Sequence, residues 1–331
     1  MQIFPVGAES LGVRSFSVFV HTKDVNIFID PSVSLAPTRY RLPPHEIELA
    51  VCWQIRQNIM ALSRYTDVIA LTHYHADHFS LNQVRYYEFT NPHIFRELHI
   101  GKHILAKSLR KISRNQQLRA QSLLRDKSFS IEEADGQTFT FGETTLTFSQ
   151  PLFHGIASPM GTVLALKIEA DGETFCFSSD VNGPGTDEAL NFLLNTKADV
   201  LFLDGPSTYH PNVTQEEVQS ALTRLDRLLE TETRLVIDHH FLRDLKWQDY
   251  VDSSRLETAA DFIGLEPAFL EANRKNLFKE EPLPKQYHQE LEQGSLDILN
   301  SIQKRAKTLP LALKLRDKTH NLLKQLDTSS S

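Results

Sequence analysis

The sequence predicts an α/β (α+β) protein built around one large layered domain, and three observations carry that reading. Short apolar runs of strand length alternate with segments of helical period. Hydrophobic residues make up 40% of the 331 positions, enough to fill a sizeable core. Several of the apolar runs also stop on a histidine or an aspartate, which is how a sheet delivers polar side chains to one of its edges.

Ser15-Phe16-Ser17-Val18-Phe19-Val20 alternates as a half-buried strand does, and Val25-Asn26-Ile27-Phe28-Ile29-Asp30 follows a polar turn at Thr22-Lys23-Asp24. Asp30-Pro31 ends that strand. A proline-punctuated loop over 32–44 then carries Arg39, Tyr40 and Arg41, and a helical pattern over about 46–64 feeds the apolar run Val68-Ile69-Ala70-Leu71. Residues 102–127 hold Lys102, Lys107, Arg110, Lys111, Arg114, Arg119, Arg125 and Lys127 with Asp126 as their only acid. That segment reads as helical and electropositive, either a solvated face or a surface that attracts an anionic substrate. Strands are predicted at 138–141 and 145–148 around Gly142-Glu143, and at 163–168 and 174–178 around the strong turn signal Asp171-Gly172. Two apolar strands follow at 198–204 and 234–238, separated by a helix over about 215–230. Thr214 with Glu217 has capping-box spacing at that helix start, and Ser254 with Glu257 repeats it for a later helix. Beyond residue 281 the tail is charged and helical, with 309–326 its best amphipathic stretch and a flexible end expected at Ser329-Ser330-Ser331.

Composition excludes several classes. A formal charge of −7 gives no global nucleic-acid signature. Cys52 and Cys176 form neither a disulfide framework nor a CxxC thiolate site. Met1 to Gly7 lacks the basic and apolar regions of a signal peptide, and no apolar run approaches the ~20 residues that cross a bilayer. The chain is expected to be soluble and cytoplasmic, with no membrane partner.

The chemistry concentrates in Leu71-Thr72-His73-Tyr74-His75-Ala76-Asp77-His78. Three imidazoles and a carboxylate leave the end of one strand within six positions, and histidine is the commonest metal ligand. His73 and His75, two apart in extended chain, point the same way, while Asp77 and His78 follow once the chain turns and address a neighbouring point. That pattern suits two adjacent cations. Further candidates sit at other strand ends: His154 after 145–149, Asp180 after 174–179, and His239 or His240 after 234–238. His239 directly follows its strand and is the favoured ligand of that pair.

The order Asp30, His73-Tyr74-His75-Ala76-Asp77-His78, His154, Asp180, His239 resembles the motif set of the metallo-β-lactamase superfamily, over about residues 8–275. Within that span, Glu9-Ser10-Leu11-Gly12-Val13-Arg14-Ser15, Leu42-Pro43-Pro44-His45-Glu46 and Ile237-Asp238-His239-His240 resemble a prokaryotic branch of predicted metal-dependent hydrolases. The resemblance implies a four-layer αββα sandwich over 1–280 with a helical C-terminal extension over 281–331. It implies one divalent ion on His73, His75 and His154, a second on Asp77, His78 and His239, and Asp180 bridging them. Asp30 would support the ligands by hydrogen bonding, and Asp77 and His240 would take catalytic roles.

Oxygen and nitrogen ligands without thiolate suit zinc, manganese or iron, with zinc the first expectation. Two such ions imply hydrolysis by a metal-activated hydroxide. The basic segment, with Arg39 and Arg41 as candidate substrate ligands, points to a phosphodiester or other phosphorylated substrate, nucleic acid among them. A carboxylic ester, lactone or thioester is the alternative, a mononuclear iron dioxygenase the second, and a binding scaffold that kept the site the non-enzymatic one. The C-terminal helices are expected to pack or to form a homodimer.

Overall fold

The computed structural model describes residues 1–156 and 160–329. Ser330 and Ser331, expected to be flexible, lie outside the described residues. The first sheet runs in chain order: β1 (Gln2–Gly7), β2 (Ser17–His21), β3 (Asn26–Ile29), β4 (Val68–Leu71), β5 (His103–Ala106) and β6 (Ser130–Glu133). Its first three strands form an antiparallel meander, and β3 to β6 pair in parallel. The chain continues through β7 (Thr138–Phe141), β8 (Thr144–Phe148), the short pair β9 (Leu152–Phe153) and β10 (Thr162–Val163), β11 (Leu166–Ala170), β12 (Glu173–Phe177), β13 (Val200–Leu203), β14 (Arg234–Ile237) and β15 (Leu256–Glu257). The second sheet has the order β15-β14-β13-β12-β11-β8-β7, antiparallel from β7 to β12 and parallel from β12 to β15.

The helices are α1 (Glu46–Ser63), α2 (Pro92–His99), α3 (Arg114–Leu124), α4 (Asp187–Thr196), α5 (Gln215–Leu229), α6 (Ala259–Phe262), α7 (Arg274–Glu280), α8 (Tyr287–Glu292), α9 (Leu296–Ala306) and α10 (Pro310–Ser329). Local chemistry explains their starts. His45 and Glu48 form a capping box on α1, Asn91 caps α2 ahead of Pro92, and Thr214 with Glu217 closes the predicted box on α5. The Asp171-Gly172 signal becomes the β11–β12 hairpin, both residues having positive φ (57° and 78°), as a type I′ turn needs.

Three clusters place the layers. One lies between the sheets, where Phe16 meets Phe177 at 4.6 Å between ring centroids, and continues into α1, α9 and α10. A second packs α4 and α5 on the outside of the second sheet, and a third packs α2 and α3 on the first. The result is the predicted αββα order. The tail helices are not a detached appendage: Ala312, Leu315, Leu322 and Leu326 join the cluster around α1, and Asn58 Nδ2 donates to the carbonyl of Leu315. Among the described residues, no helix is long and apolar enough to cross a membrane.

Two local expectations need correction. Residues 102–127 are not one helix: 103–106 form the interior strand β5, held between parallel neighbours, and only Arg114–Leu124 is helical. The continuous apolar run Ile104-Leu105-Ala106 is what a strand buried on both faces requires. Ser254 and Glu257 make no capping box either. Asp252 caps a 3₁₀ turn there, and the box four residues later pairs Thr258 with Asp261.

Candidate metal centre

Parallel strands of both sheets end at one rim, and their carboxyl-terminal residues meet there. β3 runs into Asp30, β4 into His73, β12 into Asp180, β13 into Asp204 and β14 into His239 and His240. Asp30, Ser179 and His239 hold left-handed backbones (φ 44°, 56° and 58°), a costly conformation for non-glycine residues that turns each side chain out of its strand direction. A hydrogen bond from the Leu164 amide to the Thr72 carbonyl (3.1 Å) ties the two sheets together at this rim. The β9–β10 arm carries in His154, whose amide donates to the carbonyl of Gly161.

Within the loop after β4, Tyr74 turns into the core, where it packs against Phe79 and donates its hydroxyl to the carbonyl of Lys107 (2.6 Å). That anchor leaves His73 and His75 on the opposite side. The chain then turns, with the amides of His78 and Phe79 donating to the carbonyl of His75, and this brings Asp77 and His78 to a separate position.

Among the described residues, four overlapping groups of possible ligand atoms result, each compact to within 4.8 Å, and two of them hold the predicted ligands. His73, His75, His154 and Asp180 form the first, and Asp77, His78 and His239 the second. Asp180 spans both. Its Oδ2 lies 3.1 Å from His154 Nε2 and 3.5 Å from His73 Nε2, while Oδ1 lies 3.0 Å from His78 Nε2 and 3.5 Å from His239 Nε2. Among the described residues, Oδ1 is buried and accepts no hydrogen bond of good geometry, with His78 Nε2 3.0 Å away. A buried carboxylate oxygen without a well-placed donor costs free energy unless a cation faces it, so this donor set fits divalent ions.

The surrounding contacts fix the rings. Asp30 Oδ2 accepts from His78 Nδ1 (2.8 Å) and from the Thr72 hydroxyl (2.5 Å), and Oδ1 accepts from the Thr72 amide (2.8 Å). The Ser15 carbonyl accepts from His239 Nδ1 (3.0 Å). Both bonds occupy Nδ1 and leave Nε2 directed at the ligand group. The structure also separates the two adjacent histidines. His239 Nε2 faces Asp77 Oδ2 at 3.6 Å and His78 Nε2 at 3.3 Å. His240 faces the other oxygen of Asp180: its Nδ1 pairs with Asp204 Oδ2 at 2.9 Å, its Nε2 lies 3.6 Å from Asp180 Oδ2, and with Asp180 and His239 it forms a further group of possible ligand atoms.

The electrostatics divide the ligands: at His78 burial pushes downward, but Asp180, Asp30 and Asp77 outweigh it and hold the imidazole well above the usual histidine range. Burial, reinforced by neighbouring imidazoles, holds His75 and His240 well below the usual histidine range, and burial with the adjacent Arg243 guanidinium takes His239 down to about 4. For Asp77 and Asp180, burial pushes upward, but the imidazoles around them and, at Asp77, the Arg243 guanidinium outweigh it and keep both well below the usual carboxylate range. Asp204 moves the other way, raised by burial and by the charge of Asp180.

Arg39 and Arg41 do not reach the ligand groups. Arg39 lies over the Tyr209 ring (4.8 Å to its centroid) and donates to the carbonyl of Arg243, while Arg41 is exposed in the tight turn closed by reciprocal backbone bonds between Arg39 and Leu42. The basic segment also divides. Lys107 is sealed against Asp135 (2.8 Å), and Arg110 pairs with Glu133 at the surface. Gln116 and Arg119, one turn apart on α3, do reach the metal loop: Gln116 Nε2 lies 3.4 Å from His75 Nε2, and Arg119 Nη1 donates to the carbonyl of Tyr74 (3.1 Å). Sequence reasoning missed Gln116, Asp204 and Arg243 as site residues. Asp204, ending an apolar strand, carried the same signal as Asp180; Gln116 and Arg243 carried none.

A sandwich with this ligand pattern defines the metallo-β-lactamase class, and residues 25–240 match the family described as the Beta-lactamase superfamily domain. Relatives place it further. A UPF0282 protein of Pyrobaculum calidifontis is 37% identical over 293 residues, covering 85% of this chain and 96% of the relative. One from Saccharolobus solfataricus is 34% identical over 319 residues, covering 91% and 99%. The chain belongs to the UPF0282 family within the β-lactamase superfamily. Among solved structures, the metallo-beta-lactamase fold protein YhfI of Bacillus subtilis is similar with a TM-score of 0.43 and 15% identity, over 68% of this chain and 78% of that one.

Proposed function

We propose that the chain is a metal-dependent hydrolase acting on a phosphodiester or other phosphorylated substrate, with divalent ions, zinc first, held by His73, His75, His154 and Asp180 and by Asp77, His78, His239 and Asp180. The observation that carries the hydrolase reading is Asp180, whose two carboxylate oxygens face two separate ligand groups, Oδ1 without a hydrogen bond of good geometry. Divalent ions bound there supply Lewis acidity and lower the pKa of a coordinated water from 15.7 toward about 7. The chain's own residues do the rest. Asp30 and the Ser15 carbonyl keep His78 and His239 in the tautomer that presents Nε2. Asp77 would orient the attacking water, and a neutral His240 would relay a proton, taking one at Nδ1 from the raised Asp204 carboxyl as its Nε2 proton passes to the leaving group.

The phosphorylated class is favoured by a cavity of about 370 Å³ between α3 and the 81–85 loop. Arg85, Arg119, Asn82, Gln83, Asn115 and Ser122 supply its polar lining, which includes two guanidiniums and no carboxylate. Arg119 and Gln116 connect it to the metal loop within one helical turn. Guanidinium forks match phosphate geometry, and a cavity of this size is typical of small-ligand sites. The test is a panel of bis-p-nitrophenyl phosphate, phosphomonoesters, lactones and thioesters offered to metal-replete protein. Phosphodiester turnover that vanishes in Asp180→Asn supports the reading. Turnover of lactones or thioesters alone moves the substrate to the carbonyl class, and dioxygen consumption with a single bound iron overturns the hydrolase.

A further inference from the structure

The side chain that most distinguishes the two ligand groups is Arg243. It lies four residues after His239, in the 3₁₀ turn Phe241–Arg243, and is buried. Its guanidinium lies against the His239 ring, with Nη2 3.2 Å from Nε2, 3.3 Å from Nδ1 and 3.4 Å from Asp77 Oδ2. The opposite side is held by Glu9, which accepts from Nε at 3.0 Å, and by the Tyr209 hydroxyl, which accepts from Nη1 at 3.1 Å. The guanidinium thus has contacts on every side and is fixed beside the second group.

A charge balance over this network is informative. Arg14 forks onto Glu271 with two bonds of 2.6 Å, Arg39 lies 3.9 Å from the same carboxylate, and Arg243 takes Glu9. Three guanidiniums therefore share two glutamates, of which burial and the Glu271 charge push Glu9 up to about 8, so Asp77 is the carboxylate left to offset Arg243. The charge that Asp77 would offer a divalent ion is already engaged. Among the described residues, no guanidinium or ammonium contacts the first group, where Asp180 Oδ2 lies beside the imidazoles of His73, His154 and His240. Like charges separated by about 4 Å repel substantially even at an effective dielectric constant of about 20.

We propose that Arg243 is a resident counter-cation that makes the centre unequal. The position on His73, His75, His154 and Asp180 Oδ2 takes its ion tightly, whereas the position on Asp77, His78, His239 and Asp180 Oδ1 takes a weak, exchangeable one. This inference rests on the reading of both groups as metal ligands.

The experiment titrates zinc into the chelator-stripped full chain by calorimetry, with elemental analysis after desalting. Wild type is expected to retain one ion, and the second should bind at least ten-fold more weakly. Arg243→Gln should tighten the second event ten-fold or more and leave two ions after desalting. Arg243→Lys, which keeps the charge, should stay unequal. Glu9→Gln removes the residual charge that Glu9 sets against Arg243 and should weaken the second event up to several-fold without changing the first. Circular dichroism and melting curves check each fold; if Arg243→Gln does not fold, wild-type stoichiometry with Glu9→Gln and Arg243→Lys decides. Two ions of equal affinity in wild type overturn the proposal, as does a second event that Arg243→Gln leaves unchanged or weakens. Binding of no ion at all instead refutes the metal-centre reading on which it rests.

Discussion

Replacing Asp30 by Asn isolates what one supporting carboxylate does for a metal ligand. Asn keeps the shape and tolerates the left-handed backbone of this position (φ 44°). The Thr72 amide donates to Oδ1 at 2.8 Å, so it selects the orientation in which the new amide oxygen occupies that place. The amide nitrogen then replaces Oδ2, which accepts from the Thr72 hydroxyl and from His78 Nδ1. The hydroxyl has an alternative partner in Ser179 Oγ at 2.7 Å. His78 has none in that direction: Nδ1–H would face N–H, so the ring must move its proton to Nε2, the atom directed at the ligand group. Loss of a supporting contact of this kind costs about 10–100-fold in metal affinity, or about 1.4–2.7 kcal/mol. The assay is zinc competition against a chromogenic chelator, read separately for the two binding events. The loss is expected at the event involving His78, with the other within a few-fold of wild type. Wild-type affinity at both events would refute the argument that Asp30 sets the His78 tautomer.

Other consequences are equally concrete. Arg85→Ala and Arg119→Ala should each raise KM for a phosphodiester about 10- to 150-fold, since a charge-assisted hydrogen bond is worth about 1.5–3 kcal/mol. The salt dependence of turnover should flatten in parallel, and unchanged KM in both variants would remove the cavity from substrate binding. Glu48→Gln breaks the fully buried pair in which Arg274 forks onto Glu48 with bonds of 2.8 and 2.9 Å, joining α1 to α7. Urea unfolding should show a loss of about 3–5 kcal/mol; a loss below 1 kcal/mol would mean the pair relaxes on its own. His99, buried with Nδ1 on the Phe95 carbonyl, is held down to about 4 by burial. Below pH 6.5 the unfolded chain takes up a proton that the native state refuses, so stability falls with pH until about 4. The contribution is about 2 kcal/mol between pH 7 and 5. His99→Leu should reduce that acid slope in urea titrations at the two pH values, and an unchanged slope would refute it.

Much of the site was legible because its ligands are written as strand endings. The run Val68-Ile69-Ala70-Leu71 signals a buried strand, so the histidines after it had to emerge at a sheet edge, and the same logic pointed to His154, Asp180 and His239, whereas Asp30 came from the family resemblance. Alternation even sorted the loop: His73 and His75 fall in one group, Asp77 and His78 in the other, as two-residue periodicity followed by a turn requires. Where a side chain's role depends on a distant partner, the pattern was silent. Lys107 looked like part of an electropositive surface, yet its ammonium is buried against Asp135, 28 positions away. The helix expected over 102–127 failed because β5 is an interior strand whose partners, β4 and β6, come from either side in sequence.

The residues alone therefore indicate the class of fold and the metal-competent side chains at the strand ends, since periodicity and strand ends are local properties of the chain. Which of His239 and His240 faces Asp77, and the placing of Arg243 between Glu9 and Asp77, required the folded molecule. Glu9 and Arg243 are 234 positions apart, and only the closing of the two sheets brings those charges within hydrogen-bonding distance. A charge is visible in a sequence, but its neighbours, and so its energy, exist only once the chain has folded.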